Sequence, residues 1–310
     1  MSEQLFVHRH RPEWGRAIVA SQGAGRRVYQ FEDGRTRVIA HDYWDLMEPV
    51  EEGAEGLGKS LRRLRLLVKG TDSSMRSSPP PKASKDSGDQ IEIFKSALAD
   101  GFQEASYTSR YRGAEDRTRK SQIDPKIELA QEKLVEAEVP LPQGKDAKAW
   151  LDLVREVIFA TDLLTASERK ALQGVKGDGV EAVAITSWRL VYDDEHPFPE
   201  RFEAWVDALE EAGARPTWGL ATSLPALLDP QKHVCVRTSV FRAQASTIMP
   251  TLSVDPEADL AVYEALQKMV LDLRKRLEKE GLEPRDLFDV RNFIWLTLRK
   301  DAERKLGEMA

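Results

Sequence analysis

The chain of 310 residues is 41% hydrophobic and 32% charged, with a formal net charge of -6 at pH 7. This length suits two ordinary domains with a buried core. The acidic balance excludes a protein coated with nucleic acid over its whole surface and leaves room for local basic patches only. The single cysteine, Cys235, permits no internal disulfide. No apolar run follows the charged start as in a signal peptide, and none reaches the roughly 20 residues that span a bilayer. A soluble, cytoplasmic protein without membrane contact is therefore expected.

The most strongly patterned stretch runs from Pro12 to Ile39. Ala17-Ile18-Val19-Ala20, then Val28 to Phe31, then Val38-Ile39 read as three short strands, with turns at Gly23 to Gly25 and at Asp33-Gly34. An Asp-Gly pair between alternating runs marks a hairpin, because Gly accepts the positive φ that a tight turn needs. Trp14-Gly15 fits a corner where a large ring plugs one end of a small, strongly bent sheet. The N-terminal module, residues 5–50, carries Arg9, Arg11, Arg16, Arg26, Arg27, Arg35 and Arg37, and no lysine occurs before Lys59. Guanidinium groups suit planar, bidentate contact with carboxylate or phosphate, and by period two Arg35 and Arg37 share a strand face. Each arginine alone reads as solvating a strand and balancing Glu13, Glu32, Asp33, Asp42 and Asp45. As a cluster, Trp14, Arg16, Arg26, Arg27, Arg35 and Arg37 form a candidate binding face.

Trp14-Gly15-x-Ala17-x-Val19, followed by a strand ending Phe31-x-Asp33-Gly34, resembles the small Tudor/SH3-like barrels of bacteria. Such barrels form a domain family of unknown function and occur at the C-termini of UvrD-type helicases and the N-termini of CarD-type transcription regulators. The resemblance covers residues 7 to 49, and Ala17 stands where those domains often have a second glycine. It implies a closed barrel over residues 5–50, with RNA polymerase as a candidate protein partner.

Beyond the barrel, Leu57, Leu61, Leu64 and Val68 recur at helical spacing beside Arg62, Arg63, Arg65 and Lys69. A connector helix over 51–69, docked on the second domain, is the reading preferred to a basic helix on nucleic acid. Residues 70–88 are rich in Ser, Pro, Lys and Gly, including three successive prolines, and read as a flexible linker. From residue 89 to 310 the pattern predicts a largely α-helical domain, so the fold class is α+β multidomain. Predicted helices include Trp150 to Leu164, Val180 to Tyr192, Phe202 to Ala212, Val240 to Ile248 and Leu260 to Leu277. Thr165 with Glu168 predicts a capping box. Asp255-Pro256 and Pro284 read as helix starts, and His233 to Val236 as a lone strand or an extended connection. The segments His233 to Ala243 and Asp286 to Leu296 resemble parts of uncharacterised bacterial proteins, some attached to restriction or helicase modules.

Candidate chemistry is sparse. Tyr107, Arg110 and Arg112 interleave aromatic and cationic groups, which can stack bases and neutralise phosphates, or can be core tyrosines beside a solvated helix start. His8, His10 and His41 are a remote metal possibility, and no Cys-x-x-Cys or His-Glu-x-x-His occurs, so neither metal nor cofactor is expected. His233 and Cys235 would share a strand face, but the flanking Val234 and Val236 mark a buried structural cysteine. Gly58-Lys59-Ser60 lacks the spacing of a phosphate loop. Asp286 and Asp289, one turn apart, suit capping better than Mg²⁺. The expectation is a non-enzymatic adaptor in nucleic-acid or transcription processes. The alternative is an enzyme acting on nucleic acid, with Tyr107, Arg110, Arg112, His233 and Asp289 converging in one cleft.

Overall fold

A computed structural model describes residues 4–23, 25–51, 57–73, 87–113, 119–250, 252–299 and 301–307. The chain divides into two compact units at Pro80/Pro81. Most of the expected linker, residues 74–86, lies outside the described residues.

The first unit is a sheet covered on one face by a helix. Its strands are β1 (Phe6–His8), β2 (Arg16–Gly23), β3 (Arg26–Phe31), β4 (Thr36–Ala40) and β5 (Met47–Pro49), and its helix is α1 (Leu57–Ser73). The spatial order is β4-β3-β2-β1-β5, and all neighbours are antiparallel. β4 and β5 are the two edges, so among the described residues no pairing closes the sheet into the expected barrel. The β3–β4 turn forms as its Asp-Gly pair dictates. Gly34 has φ 83°, Gly34 N donates to Phe31 O, and Asp33 Oδ1 accepts the Arg35 amide. The register shift in β2 falls between Val19 and Ser21, beyond Ala17.

β1 and β5 are three residues each, too short for alternation to announce them. Pairing defines them: Phe6 faces both Ala17 and Pro49. The two faces of the sheet bury different sets. Ala17, Tyr29, Phe31 and Met47 form one small core with Phe6, Trp14, Val19 and Ile39 packed around it. On the opposite face Leu5 and Ile18 meet Leu64 of α1, joined by Leu57, Leu61, Leu67 and Val68. The apolar stripe of this helix is thus spent on the sheet of its own unit.

The second unit is helical. It comprises α2 (Ser87–Ala97), α3 (Ala105–Tyr107), α4 (Asp124–Ala130), α5 (Lys145–Phe159), α6 (Ala166–Gln173), α7 (Gly179–Tyr192), α8 (Phe198–Glu211) and α9 (Trp218–Leu228), followed by α10 (Thr238–Ile248), α11 (Leu260–Lys279), α12 (Leu287–Leu298) and α13 (Ala302–Gly307). α3 and α4 each run on into a wider π turn, Thr108–Arg112 and Gln131–Val135. Every residue of α9 from Trp218 to Leu227 is buried, as expected of a helix that is apolar all round and so central. α5 and α8 contribute Trp150 and Trp205 to the same core, and α12 contributes Phe293.

The capping box forms at α6: the Thr165 hydroxyl accepts from Glu168 N, and the Glu168 carboxylate accepts from Thr165 N. Two predicted starts are corrected. α11 begins at Leu260, where Asp259 accepts the Val262 amide, and not at Asp255-Pro256. α12 begins at Leu287 under the Asp286 cap, three residues after Pro284. At α11 the aspartate nearer the first buried turn takes the cap. Val234, Cys235 and Val236 are a buried extended connection, with Val236 N donating to Thr222 Oγ1.

Candidate functional site

The sheet unit divides its arginines into two kinds. The Arg37 guanidinium lies 4.0 Å over the Trp14 ring and 4.8 Å over Phe31. It also forks onto both Asp33 oxygens, at 3.0 and 2.6 Å. That hydrogen-bonded fork holds the Asp33 carboxyl below the usual carboxylate range. Arg27 lies 3.8 Å over Trp44 and donates to Gln22, and Arg16 donates to Ser60 of α1 at 2.9 Å. Trp14 is held edge-on between His8 and Phe31. Trp14, Arg16, Arg27 and Arg37 are each half-buried, and their side chains brace the fold. Arg35 stands between the turn and β4, one residue before the strand begins. Arg35 and Arg26 are exposed, Arg35 just before Thr36 and Arg26 opposite Ala40 in the register, so they flank β4 at its two ends.

β4 itself is the open feature of this unit. Phe31 N donates to Arg35 O, and His41 N donates to Gly25 O. Antiparallel pairing alternates, so Arg37 and Ile39 also turn their amides toward β3, while Thr36, Val38 and Ala40 turn theirs outward. Val38 is 60% exposed and neighbouring Tyr43 59%. The other edge, β5, is short and ends in Pro49, a residue that blunts an edge.

In the helical unit Tyr107, Arg112 and Asp289 do converge, joined by Asp286, Asn292 and Asp124. Arg112 forks onto Asp286 at 3.0 and 2.6 Å and reaches Asp289 at 3.3 Å and Asp124 at 2.8 Å. The Tyr107 hydroxyl donates to Asp289 at 2.7 Å and accepts from Asn292 at 3.3 Å. The π turn makes this possible: Gly113 N donates to Thr108 O, and i→i+5 bonding brings residues five apart toward one face. Tyr107 and Asp289 are fully buried, Arg112 is 4% exposed and Asp286 3%. Burial pushes the Asp289 carboxyl above its usual range against the pull of Arg112, and does the same to Asp124. Burial, with Asp289 alongside, pushes the Tyr107 phenol well up. Burial works against the Arg112 charge, but its carboxylates outweigh that and keep it firmly protonated.

The candidate binding roles of Tyr107 and Arg112 are therefore corrected, since neither presents a surface to a base or phosphate. Arg110 alone of the three stays exposed, 5.7 Å from the Tyr111 ring. His233 makes its contacts elsewhere. It stacks on Phe198 at 3.9 Å, and its Nδ1 is 3.5 Å from the Tyr263 hydroxyl. Burial pushes it down to about 4, so its imidazole is neutral near pH 7. Cys235 is buried, and burial pushes its thiol up, the reverse of an activated nucleophile. Asp286 accepts the Phe288 and Asp289 amides as a cap. Among the described residues no group of His, Cys, Asp and Glu is arranged to hold a metal ion. Nor is any helix there long and apolar enough to cross a membrane.

What the sequence reading missed is a recess beside His233. It has a volume of about 590 Å³ and is lined by Gln131, Leu190, Phe198, Arg201, His233 and Gln267 among others. These residues come from five separate stretches of chain, so no local pattern announces the recess. Comparisons with protein-family models, curated proteins and solved structures find no match to this chain.

Proposed function

We propose that the protein is a non-enzymatic adaptor whose N-terminal sheet takes an extended segment of a protein partner as an additional strand. The observation that carries this reading is the open edge of β4, where Thr36, Val38 and Ala40 direct their amides outward beside an exposed valine. Main-chain pairing supplies affinity in such complexes, and flanking side chains supply selectivity. Arg35 and Arg26 at the two ends of β4 favour an acidic segment. The resemblance of residues 7 to 49 to Tudor/SH3-like barrels makes RNA polymerase the first partner to test. Nucleic acid on the same face has less support, because Arg27 and Arg37 are engaged on indole rings. An enzyme site at Tyr107, Arg112 and Asp289 has less support too, because that cluster is sealed from solvent.

The test is capture of purified RNA polymerase by the full chain, by Val38→Pro and by Val38→Lys. Proline removes an outward amide without costing a bond to β3, whereas lysine keeps the amide. Loss of capture by V38P alone, with the circular dichroism unchanged, is the expected result. Equal capture by V38P and the parent overturns the edge reading, and no capture by any form removes RNA polymerase as the partner.

A further inference from the structure

We infer that the recess beside His233 is a binding site for a planar, uncharged heteroaromatic group with a hydrogen-bonding edge, of the kind a nucleobase presents. Its volume of about 590 Å³ falls within the roughly 300–1,000 Å³ of small-molecule sites.

The walls are built, not incidental. Three glutamines line the recess and each is pinned by its amide nitrogen to a backbone carbonyl: Gln131 to Leu228, Gln231 to Arg285, and Gln267 to Lys232. Gln231 also accepts from Arg274, which holds both ends of its amide. A pinned amide holds its oxygen in a fixed position with little entropy left to lose, and the Gln231 oxygen, which already serves Arg274, keeps one lone pair for a ligand. Arg201 caps α7 by donating from Nη1 to the carbonyls of Arg189 and Leu190. Its Nε–H is buried and has no hydrogen-bond partner among the described residues. The wall offers amide oxygens in fixed positions as acceptors, which suit the N–H groups along the edge of a base.

Flatness and charge narrow the class further. Phe198 and His233 stack at 26° and both line the recess, so one wall is a ready aromatic surface. The cations Arg201 and Lys232 are matched by the acids Asp194 and Asp229, and Lys232 Nζ is tied to Asp229 at 2.9 Å. No net charge remains to favour a phosphate or an ammonium group. A second hollow of about 490 Å³ shares Phe198, Gln267 and Leu271 and continues along α11 past Lys268 and Lys275. A base held in the recess thus has an exit for a sugar or for a strand.

The experiment is isothermal titration calorimetry of the full chain with the four free nucleosides, their 5′-monophosphates and a short single-stranded oligonucleotide. It is repeated on two variants that fill the recess from different walls, Val135→Phe and Leu271→Phe, each checked by its melting curve. The expected result is nucleoside binding that weakens by about tenfold or more, the cost of one or two lost contacts, in whichever fillers remain folded. Binding of the oligonucleotide alone, with the same sensitivity, also supports the site and identifies a strand as the source of the base. A monophosphate that binds more tightly than its nucleoside overturns the uncharged assignment. Absence of binding, or binding indifferent to both fillers, overturns the site.

Discussion

Replacing Arg112 with methionine keeps most of the side-chain volume and deletes the one charge shared by Asp286, Asp289 and Asp124. Removing one partner of a buried pair costs about 3–5 kcal/mol, because the other charge is left desolvated and unmatched. Arg112 is 4% exposed and Asp289 fully buried, so solvent cannot rescue either, but Arg285 stays 3.3 Å from Asp124 and 3.9 Å from Asp289, which places the cost in the middle of that range. For a unit of this size about 4 kcal/mol lowers the melting temperature by roughly 8–16 °C. The loss must also depend on pH, with a definite sign. Burial already holds the native pKa of Asp289 and Asp124 above the unfolded value, and Arg112 is the main influence pulling both back down. Without it both rise further, so native R112M binds more protons than the native parent. A raised native pKa gives stability that is present below the unfolded pKa and lost as pH rises through the native one. The difference between parent and variant should therefore be small near pH 4 and grow toward pH 7. Denaturant unfolding at a series of pH values, followed by the tryptophan fluorescence of the helical unit, measures it. Arg110→Ala, at the exposed neighbour, serves as the control, with a change within about 0.5 kcal/mol. A difference that stays flat with pH, or a variant as stable as the control, would refute the view of this cluster as a sealed, charge-matched joint.

Three further outcomes follow from the packing. Leu64→Ala, at the fully buried contact between α1 and the sheet, should cost about 2–5 kcal/mol, read as an earlier transition in the fluorescence of Trp14 and Trp44. Arg37→Ala removes a guanidinium stacked at 4.0 Å on Trp14 and should destabilise the sheet unit by about 1–2 kcal/mol. In urea titrations Arg37→Lys should recover only part of that, because lysine cannot reproduce the fork onto Asp33. Cys235 is 1% exposed, and its thiol is pushed up by burial. It should be inert to a thiol reagent at pH 8 in the native protein and react stoichiometrically once denaturant is added; prompt native-state labelling would contradict the burial.

Much of the helical unit was legible because helices declare themselves through local spacing. The apolar row of α11 and the Thr165–Glu168 box need only neighbours within one or two turns and formed as expected, while the helix expected over Trp150 to Leu164 formed five residues earlier, at Lys145–Phe159. The same holds for the β3–β4 hairpin, which rests on Asp33 and Gly34 alone. Boundaries were less legible where two capping residues competed, as at Asp255 and Asp259. β1 and β5 carry no periodic signal in three residues; β1 exists because β2 offers a strand to pair with, and β5 because β1 does.

Composition and short-range pattern were enough to establish a small β unit, a helical unit and the scarcity of catalytic motifs, because those properties depend on residues near one another in the chain. The fate of individual side chains depended on partners far away. Arg112 and Tyr107 became interior because a π turn aims them at Asp286 and Asp289, 174 and 182 residues further on. Arg27 and Arg37 became braces because the fold brings indole rings beneath them, while the β4 edge and the recess beside His233 arise only when separate segments meet. A linear pattern records which groups are available. Which of them are spent on the fold, and which are left facing an opening, is decided by packing.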